Sequence, residues 1–487
     1  MSSPAFRPAV AAPASLDRRS FLKTSSLAGL GLAAGSPVFS AEPGDRRHRY
    51  AIVGTGSRSR LFQEAIEKEF RDHVRLAALC DLNPGRLQLA AERSRAWGGT
   101  VPALYASENF EKMLSEQAIQ TVLVTTMDGN HHEFIVRAME AGCDVISEKP
   151  MTTTPEKCRQ ILEAQARTGR TCRVTFNLRY SPPCTQVKDV LMSGEIGDVQ
   201  SVDLHWMLDT RHGADYMRRW HSRKENSGGL MIHKASHHFD LVNWWLGAVP
   251  VSVFATGKRD FYQPKTLRRM GLSGAHERCL TCPESDRCAF YVDIRKDADL
   301  KSLYLDQEKY DGYVRDRCPF RGDINIEDTM NVLVRYNTGA TLTYSLNAFC
   351  AWEGYTVAFN GTRGRLEHSA GGLTPDGRVE RYAMRTTLFP LRGAPKPLEV
   401  WTGVGSHQGG DKVMLEDLFL PHPKPDKYLR AADHRAGAVS TLIGMAANEC
   451  FLTERPVQIA HLAPGLAGPD YAPMPTADSP LTMPPRG

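Results

Sequence analysis

The sequence predicts an α/β protein: an N-terminal doubly wound parallel sheet, followed by a C-terminal α+β domain with a large open, mainly antiparallel sheet. Three observations carry this. Short apolar strand patterns alternate with helical ones as far as Pro150, as βαβ units require. A two-glycine turn, Gly54-Thr55-Gly56, separates the first strand from the first helix. Beyond Pro150 the runs lengthen and alternate with period two, as in a sheet with one covered face. At 487 residues the chain exceeds what one hydrophobic core sustains, so two domains are expected.

Residues 1–41 carry no fold pattern. Asp17-Arg18-Arg19-Ser20-Phe21-Leu22-Lys23 precedes a mildly apolar stretch from Ser26 to Ala34, with small residues at Val38, Ser40 and Ala41. This is the pattern of a twin-arginine export signal. A disordered basic N-terminus or an uncleaved anchor is the alternative. The apolar stretch is too short to cross a bilayer comfortably, so no integral membrane span is expected. The expected location is periplasmic or otherwise exported.

Residues 46–170 are expected to form the first domain. Its strands are Arg49 to Gly54, Val74 to Cys80, Thr121 to Thr126 and Cys143 to Ser147, with helices at Arg60 to Phe70, Glu133 to Ala141 and Pro155 to Thr168. Residues 171–455 form the second, opening on a strand at Arg173 to Asn177. Alternating runs follow at Val199 to Met207, Met330 to Asn347 and Thr356 to Phe359, and a helix at Ala436 to Leu452. A polar segment, 258–325, reads as a Cys-bearing insertion, and 456–487 as a Pro-rich tail.

The chain is 41% hydrophobic and 24% charged, with a formal charge of +5. Outside the leader there is no basic cluster to track phosphates, which argues against a nucleic-acid partner.

Gly54-Thr55-Gly56-Ser57-Arg58-Ser59 follows a strand and opens a helix. The glycines permit a tight turn and close backbone approach, and a helix N-terminus favours a pyrophosphate. This is a Rossmann fingerprint with Ser59 in place of the third glycine. Asp81 ends the second strand, 25 residues beyond Gly56, where an acid grips a ribose diol and repels a 2′-phosphate. NAD is thus favoured over NADP, although Arg86 downstream could bind a phosphate. Thr126, His131, Glu148 and Lys149 are further candidates for cofactor contact. Free dinucleotide is scarce outside the cytoplasm, so an exported enzyme should hold NAD tightly and restore it within its own cycle.

Three more motifs accompany the fingerprint: Ser147-Glu148-Lys149-Pro150, Phe176-Asn177-Leu178-Arg179-Tyr180-Ser181-Pro182, and Gly228 to Asp240 with Leu241 to Gly247 after it. Together they resemble the glucose–fructose oxidoreductase/inositol dehydrogenase family, often called Gfo/Idh/MocA, over roughly Arg49 to Leu452. The resemblance implies that Lys149 and His237 act as a catalytic pair, and that copies of the chain associate as a homo-oligomer.

The residues support this chemistry independently. His233, His237 and Asp240 are spaced i, i+4 and i+7, on one helical face. Oxidation of an alcohol needs a base for the hydroxyl proton; His237 suits that role, and Lys149 can polarise the same oxygen. Asp240 is expected to orient a histidine or to pack at a helix end. His233 departs from the family pattern, which usually has Asp there, as Ala235 departs from Gly. His233 and His237 also have the separation of a helical metal-ligand pair, with a hydrogen-bonded structural role the alternative for His233. Substrate positioning is expected from Asn177, Arg179, Tyr180, His131 and a loop containing Arg211, His212, Asp215, Tyr216, Arg218, Arg219, Trp220 and His221. Its mixture of aromatic and hydrogen-bonding groups suits a sugar, and the arginines could read an acidic sugar or form salt bridges.

Of eleven cysteines, Cys279, Cys282, Cys288 and Cys318 are grouped with spacing x2, x5 and x29. The pattern favours a structural tetrahedral zinc, with two disulfides or an iron–sulfur cluster as alternatives. The function expected is an exported NAD-dependent oxidoreductase acting on a small-molecule sugar or glycoside. The alternative is an NAD-dependent glycoside hydrolase working through transient oxidation, elimination, hydration and re-reduction. A non-catalytic sugar-binding protein is the third reading.

Overall fold

The computed structural model describes residues 45–373, 378–475 and 483; the export-signal region lies outside them. In chain order the strands are β1 His48–Val53, β2 Val74–Asp81, β3 Ala103–Ala106, β4 Thr121–Val124, β5 Asp144–Ser147, β6 Cys172–Val174, β7 Val199–Asp209, β8 Pro250–Lys258, β9 Thr329–Tyr336, β10 Thr341–Cys350, β11 Gly354–Gly361, β12 Gly364–Leu373, β13 Val379–Pro390, β14 Lys396–Leu398, β15 Ala432–Asp433 and β16 Val457–Gln458. They form two sheets, ordered β15-β6-β5-β4-β1-β2-β3 and β14-β13-β12-β11-β7-β10-β9-β8-β16.

The first sheet is parallel apart from β15. Its inner strand β4, Thr-Val-Leu-Val, is buried at every position, as expected of a strand covered on both faces. Strand order reverses between β1 and β4, the switch point at which such sheets bind ligands. Helices start where local chemistry satisfies their free N–H groups. Asn83 accepts from the Arg86 amide at the start of Pro84–Ala96, and Thr154 from the Lys157 amide at the start of Pro155–Thr168. The second sheet is antiparallel except where β7 lies parallel to β10. Strand β9 alternates buried and exposed residues along its length, so one face is covered and the other open.

The covered face carries the helix Ala235–Leu246, all twelve of whose residues are buried. His238 stacks on Trp206 of β7 at 3.6 Å, Phe239 lies 4.9 Å from Tyr344 of β10, and Trp245 meets Phe359 of β11 edge-on at 5.5 Å. A twenty-residue helix, His434–Thr453, wedges between the two sheets. Its small residues permit this: Gly437 packs against Met151 and Val174, while Gly444 packs against the Met231 carbonyl. One helix thus braces both the strand end that bears Lys149 and the segment that bears His233.

Three elements differ from expectation. The helix at 60–70 is α-helical only over Ser59–Glu64, then π-helical over Ala65–Glu69. The run Met330 to Asn347 is two antiparallel strands, β9 and β10, turning where Gly339 adopts φ +89°. His233 closes a separate short helix, Leu230–His233, before Ala235–Leu246 begins. Among the described residues no helix is long and apolar enough to cross a membrane.

A Cβ at Gly444 would collide with the Met231 carbonyl, and overpacking of this kind costs about 1–3 kcal/mol. Gly444→Ala is therefore expected to lower the urea unfolding midpoint accordingly; an unchanged midpoint would show that the helix contact is loose.

Candidate active site

The dinucleotide end is built by the turns after β1, β2, β4 and β5. Gly54 sits at φ +88°, and a Cβ there would stand 2.7 Å from the Thr125 carbonyl oxygen, so only glycine fits. At Gly56 a Cβ would meet nothing, leaving the open space a pyrophosphate needs. Thr55 is buried and Ser57 exposed. The Asp81 carboxylate accepts from the Thr55 amide at 2.5 Å, the Thr55 hydroxyl at 2.9 Å and the Asn83 amide at 2.7 Å. It is thereby fixed at the strand end where a ribose diol would reach it. Arg58 pairs with Glu148 at 2.6 Å and stands 3.7 Å from Asp411, which brackets the turn from both domains. These residues fit a bound NAD: glycines for the pyrophosphate, Asp81 for the ribose, and the Thr126 and Glu148 strand ends beyond.

His131 was expected to meet cofactor or substrate. It is buried instead, with its ring nitrogens 2.8 Å from the Pro150 carbonyl and 3.1 Å from the Thr126 carbonyl. Its work is to hold the Lys149–Pro150 loop.

Lys149 donates from Nζ to the His233 carbonyl at 3.0 Å. Burial pushes its pKa down, against the pull of Asp128 and Glu148. His233 Nδ1 lies 2.5 Å from Asp128 Oδ2; among the described residues no three His, Cys, Asp or Glu side chains are arranged to hold a metal ion, which leaves the alternative of a metal pair with His237 without support. The His221 ring stands 4.1 Å from His233, covered on its other side by Trp220 stacked at 3.6 Å; Tyr216 meets both imidazoles edge-on. Burial first, and then the Lys149 cation, hold His237 well below the usual 6.5; burial likewise leads at His233 and His221. His237 is 7% exposed and its Nδ1 has no partner. The result is a group of neutral imidazoles around one lysine, suited to accepting and passing protons.

Several expected substrate residues lie elsewhere. Arg179, 1% exposed, is held by Asp240 at 2.7 and 2.6 Å, and Ser440 donates to the same carboxylate. Asp240 therefore orients an arginine, and Arg179 is not available to a sugar. Tyr180 is buried and donates to Asp417 at 2.6 Å. Asn177 donates to Asp411 at 2.6 Å, on the cofactor side. Arg211 is exposed at the start of the helix Thr210–Arg218, whereas Tyr216, Trp220 and His221 do gather beside His233. Arg218 turns away, donating to Cys279 Sγ at 3.0 Å and to the Phe290 carbonyl. Arg219 pairs with Asp215 at 3.2 Å and lies close enough to influence Lys149.

Sequence reasoning missed Asp128. Only the Met127-Asp128-Gly129-Asn130 turn after β4 hints at it, and its partner His233 is 105 residues away. Glu353, which binds His212 at 2.9 Å, was equally hidden.

The four grouped cysteines line one small pocket with His276 and Phe320. All are free thiols, so the alternative of two disulfides is not formed. Among the described residues no three His, Cys, Asp or Glu side chains are arranged to hold a metal ion, which leaves the zinc expectation without support. Burial raises the Cys288 and Cys318 thiols, so they pack as neutral, weakly polar groups.

Removing one member of a buried ion pair strands the other charge, typically at about 3–5 kcal/mol. Asp240→Ala should thus destabilise the protein by about that amount in chemical denaturation. A loss below about 1 kcal/mol would mean that Arg179 finds water or another partner.

Comparisons with known proteins extend this picture. The model of the oxidoreductase family with NAD-binding Rossmann fold, GFO_IDH_MocA, matches residues 48–176, and that of the family's C-terminal alpha/beta domain matches 188–386. YteT of Bacillus subtilis, named as an oxidoreductase, is 35% identical over 84% of this chain and 98% of its own length. An inositol 2-dehydrogenase of Rhizobium meliloti is 27% identical over 43% of this chain and 58% of its own. Among solved structures, the aldose-aldose oxidoreductase from Caulobacter crescentus, complexed with glycerol, has a TM-score of 0.57 at 19% identity, covering 85% of this chain and 100% of that one. The WlbA dehydrogenase from Bordetella pertussis, in complex with NADH and UDP-GlcNAcA, gives 0.55 at 19%, covering 85% and 99%. With both domain models matched across more than half its length, and YteT matched nearly end to end, the chain belongs to the Gfo/Idh/MocA oxidoreductase family and has its NAD-binding Rossmann fold.

Proposed function

We propose that the protein oxidises a secondary hydroxyl of a sugar or glycoside, with NAD retained between turnovers, in an exported setting. The observation that carries this is the gathering of neutral His237, His233 and His221 around Lys149, at the C-terminal ends of the Rossmann strands. Inositol dehydrogenases among the relatives support a polyhydroxy substrate, as do the aromatic faces of Tyr216 and Trp220. When bound, NAD supplies the hydride acceptor. His237 takes the hydroxyl proton at its free imidazole nitrogen, and the Lys149 ammonium polarises the same oxygen. The buried surroundings strengthen both interactions by excluding water.

One observation favours a second reading, cleavage through transient oxidation. Oxidation alone needs one base, yet His233 with Asp128 behind it forms another acid–base unit within reach of the Lys149 site. Once a ring carbon is oxidised, the neighbouring C–H is acidic. A base such as His233 can take that proton while the aglycone leaves protonated; water then adds across the new double bond, and the hydride taken in the first step returns to the ketone. Product analysis separates the readings: ketosugar with net cofactor reduction for simple oxidation, free aglycone without it for cleavage. Releasing the bound dinucleotide from purified protein and identifying it tests the shared premise, and a protein that binds none would refute both.

The titrations have a definite sign. His237 must be neutral to accept a proton, and burial holds its pKa well below 6.5; Lys149 must be charged to polarise, and burial holds its pKa below 10.5. The kcat/KM profile should fall on the acid side only below pH 6.5, and on the alkaline side before pH 10.5. Lys149→Ala should remove the alkaline limb and lower turnover by about 10²–10⁴-fold with cofactor still bound. Undiminished turnover would remove Lys149 from the mechanism.

A further inference from the structure

The insertion between β8 and β9 does not hang free of the first domain; it seats on the helix Pro84–Ala96, directly after Asp81. Leu89 of that helix packs into a small cluster of Ile294, Leu303 and Tyr304 from the insertion. Asn83 Nδ2 donates to the Gln307 carbonyl at 3.2 Å. At Gly85 a Cβ would collide with the ends of the Gln307 and Tyr310 side chains, so the two elements lie in close contact there. At the centre of this contact Asp311 pairs with Arg86. Arg86 Nη2 is also 3.9 Å from Asp81 Oδ1. The Arg86 side chain is 11% exposed, as is that of Asp311.

This arrangement bears on which dinucleotide the site admits. An arginine just after the strand-end acid is the group that accommodates a 2′-phosphate in an NADP site, through bidentate charge-assisted hydrogen bonds. Here one guanidinium faces two carboxylates, one from each domain, leaving the ribose corner with a net negative charge. A 2′-phosphate dianion would have to displace Asp311 from Arg86 and strand a largely buried carboxylate. A ribose diol makes no such demand; it needs only Asp81.

We propose that Asp311, carried by the insertion, is a cofactor-specificity determinant: it neutralises Arg86 and so closes the adenosine-ribose end to NADP. The inference rests on the dinucleotide site described above and adds to it a residue contributed from 225 positions further along the chain. Asp311 is a positioning and charge-setting residue, remote from the reacting atoms.

The test is equilibrium binding of NADH and NADPH, followed by nucleotide fluorescence, to protein freed of its own dinucleotide. Asp311→Asn should tighten NADPH by about tenfold, one charge-assisted contact, while NADH affinity changes less than about threefold. Adding Arg86→Leu should abolish the gain, and Asp311→Glu should retain wild-type discrimination. If Asp311→Asn fails to fold, Asp311→Ser carries the same expectation. An NADPH affinity unchanged by the loss of the carboxylate overturns the proposal. So does a gain that survives Arg86→Leu, or equal weakening of both nucleotides, which would make the insertion a lid without selectivity. Wild-type protein that binds neither nucleotide would instead overturn the site itself, leaving the role of Asp311 without a site to act on.

Discussion

The Arg179–Asp240 pair joins the parts of the molecule that the chemistry needs together. Arg179 comes from the segment just after β6, where the chain leaves the Rossmann sheet. Asp240 lies in the buried helix on the second sheet, and Ser440, from the helix wedged between the sheets, completes the carboxylate's hydrogen bonds. Two charges taken out of water are costly, and their attraction offsets that only when geometry and extra hydrogen bonds are good. Such a pair is better at fixing one arrangement than at adding net stability. Sliding this helix by one turn would strand both charges, so its register against the first domain is set. His237, one turn before Asp240, inherits that setting.

Burial then does chemical work. An imidazole and an ammonium in water would titrate near 6.5 and 10.5; enclosed beside one another, both are pushed down. For a cation the loss of water and the neighbouring positive charge act in the same direction. Asp128 opposes this at Lys149, favouring its ammonium, while its own carboxyl is raised by the same enclosure. At position 233, where the resemblance implies an acid, this chain has an imidazole, and the Asp128 carboxyl approaches its Nδ1 from the β4 turn.

What was legible in the sequence follows the range of the interactions. The turn at Gly54 and the acid at Asp81 are local, each set by its own strand end, and both stand where the pattern placed them. Lys149 and His237 were singled out from their motifs and the family resemblance, and the fold buries both, with the Lys149 charge acting on His237. Arg179 and Tyr180 were misplaced because a polar motif reads as solvent-facing, whereas their burial against Asp240 and Asp417 is decided by elements 61 and 237 positions away. Asp128 was missed for the same reason. The cysteines show the reverse case: spacing did bring four thiols to one pocket, but spacing alone does not fix the angles that a metal needs.

The insertion has a physical consequence beyond its cysteines. Tyr262, Leu267, Phe320 and Ile324 of the insertion join the main core, while Ile294, Leu303 and Tyr304 form a separate cluster against Leu89 of the first domain. Leu89 lies on the helix following Asp81, so the insertion packs directly on the element that leads away from that acid. Placing Asp311 at this contact lets the insertion balance the Arg86 charge beside Asp81.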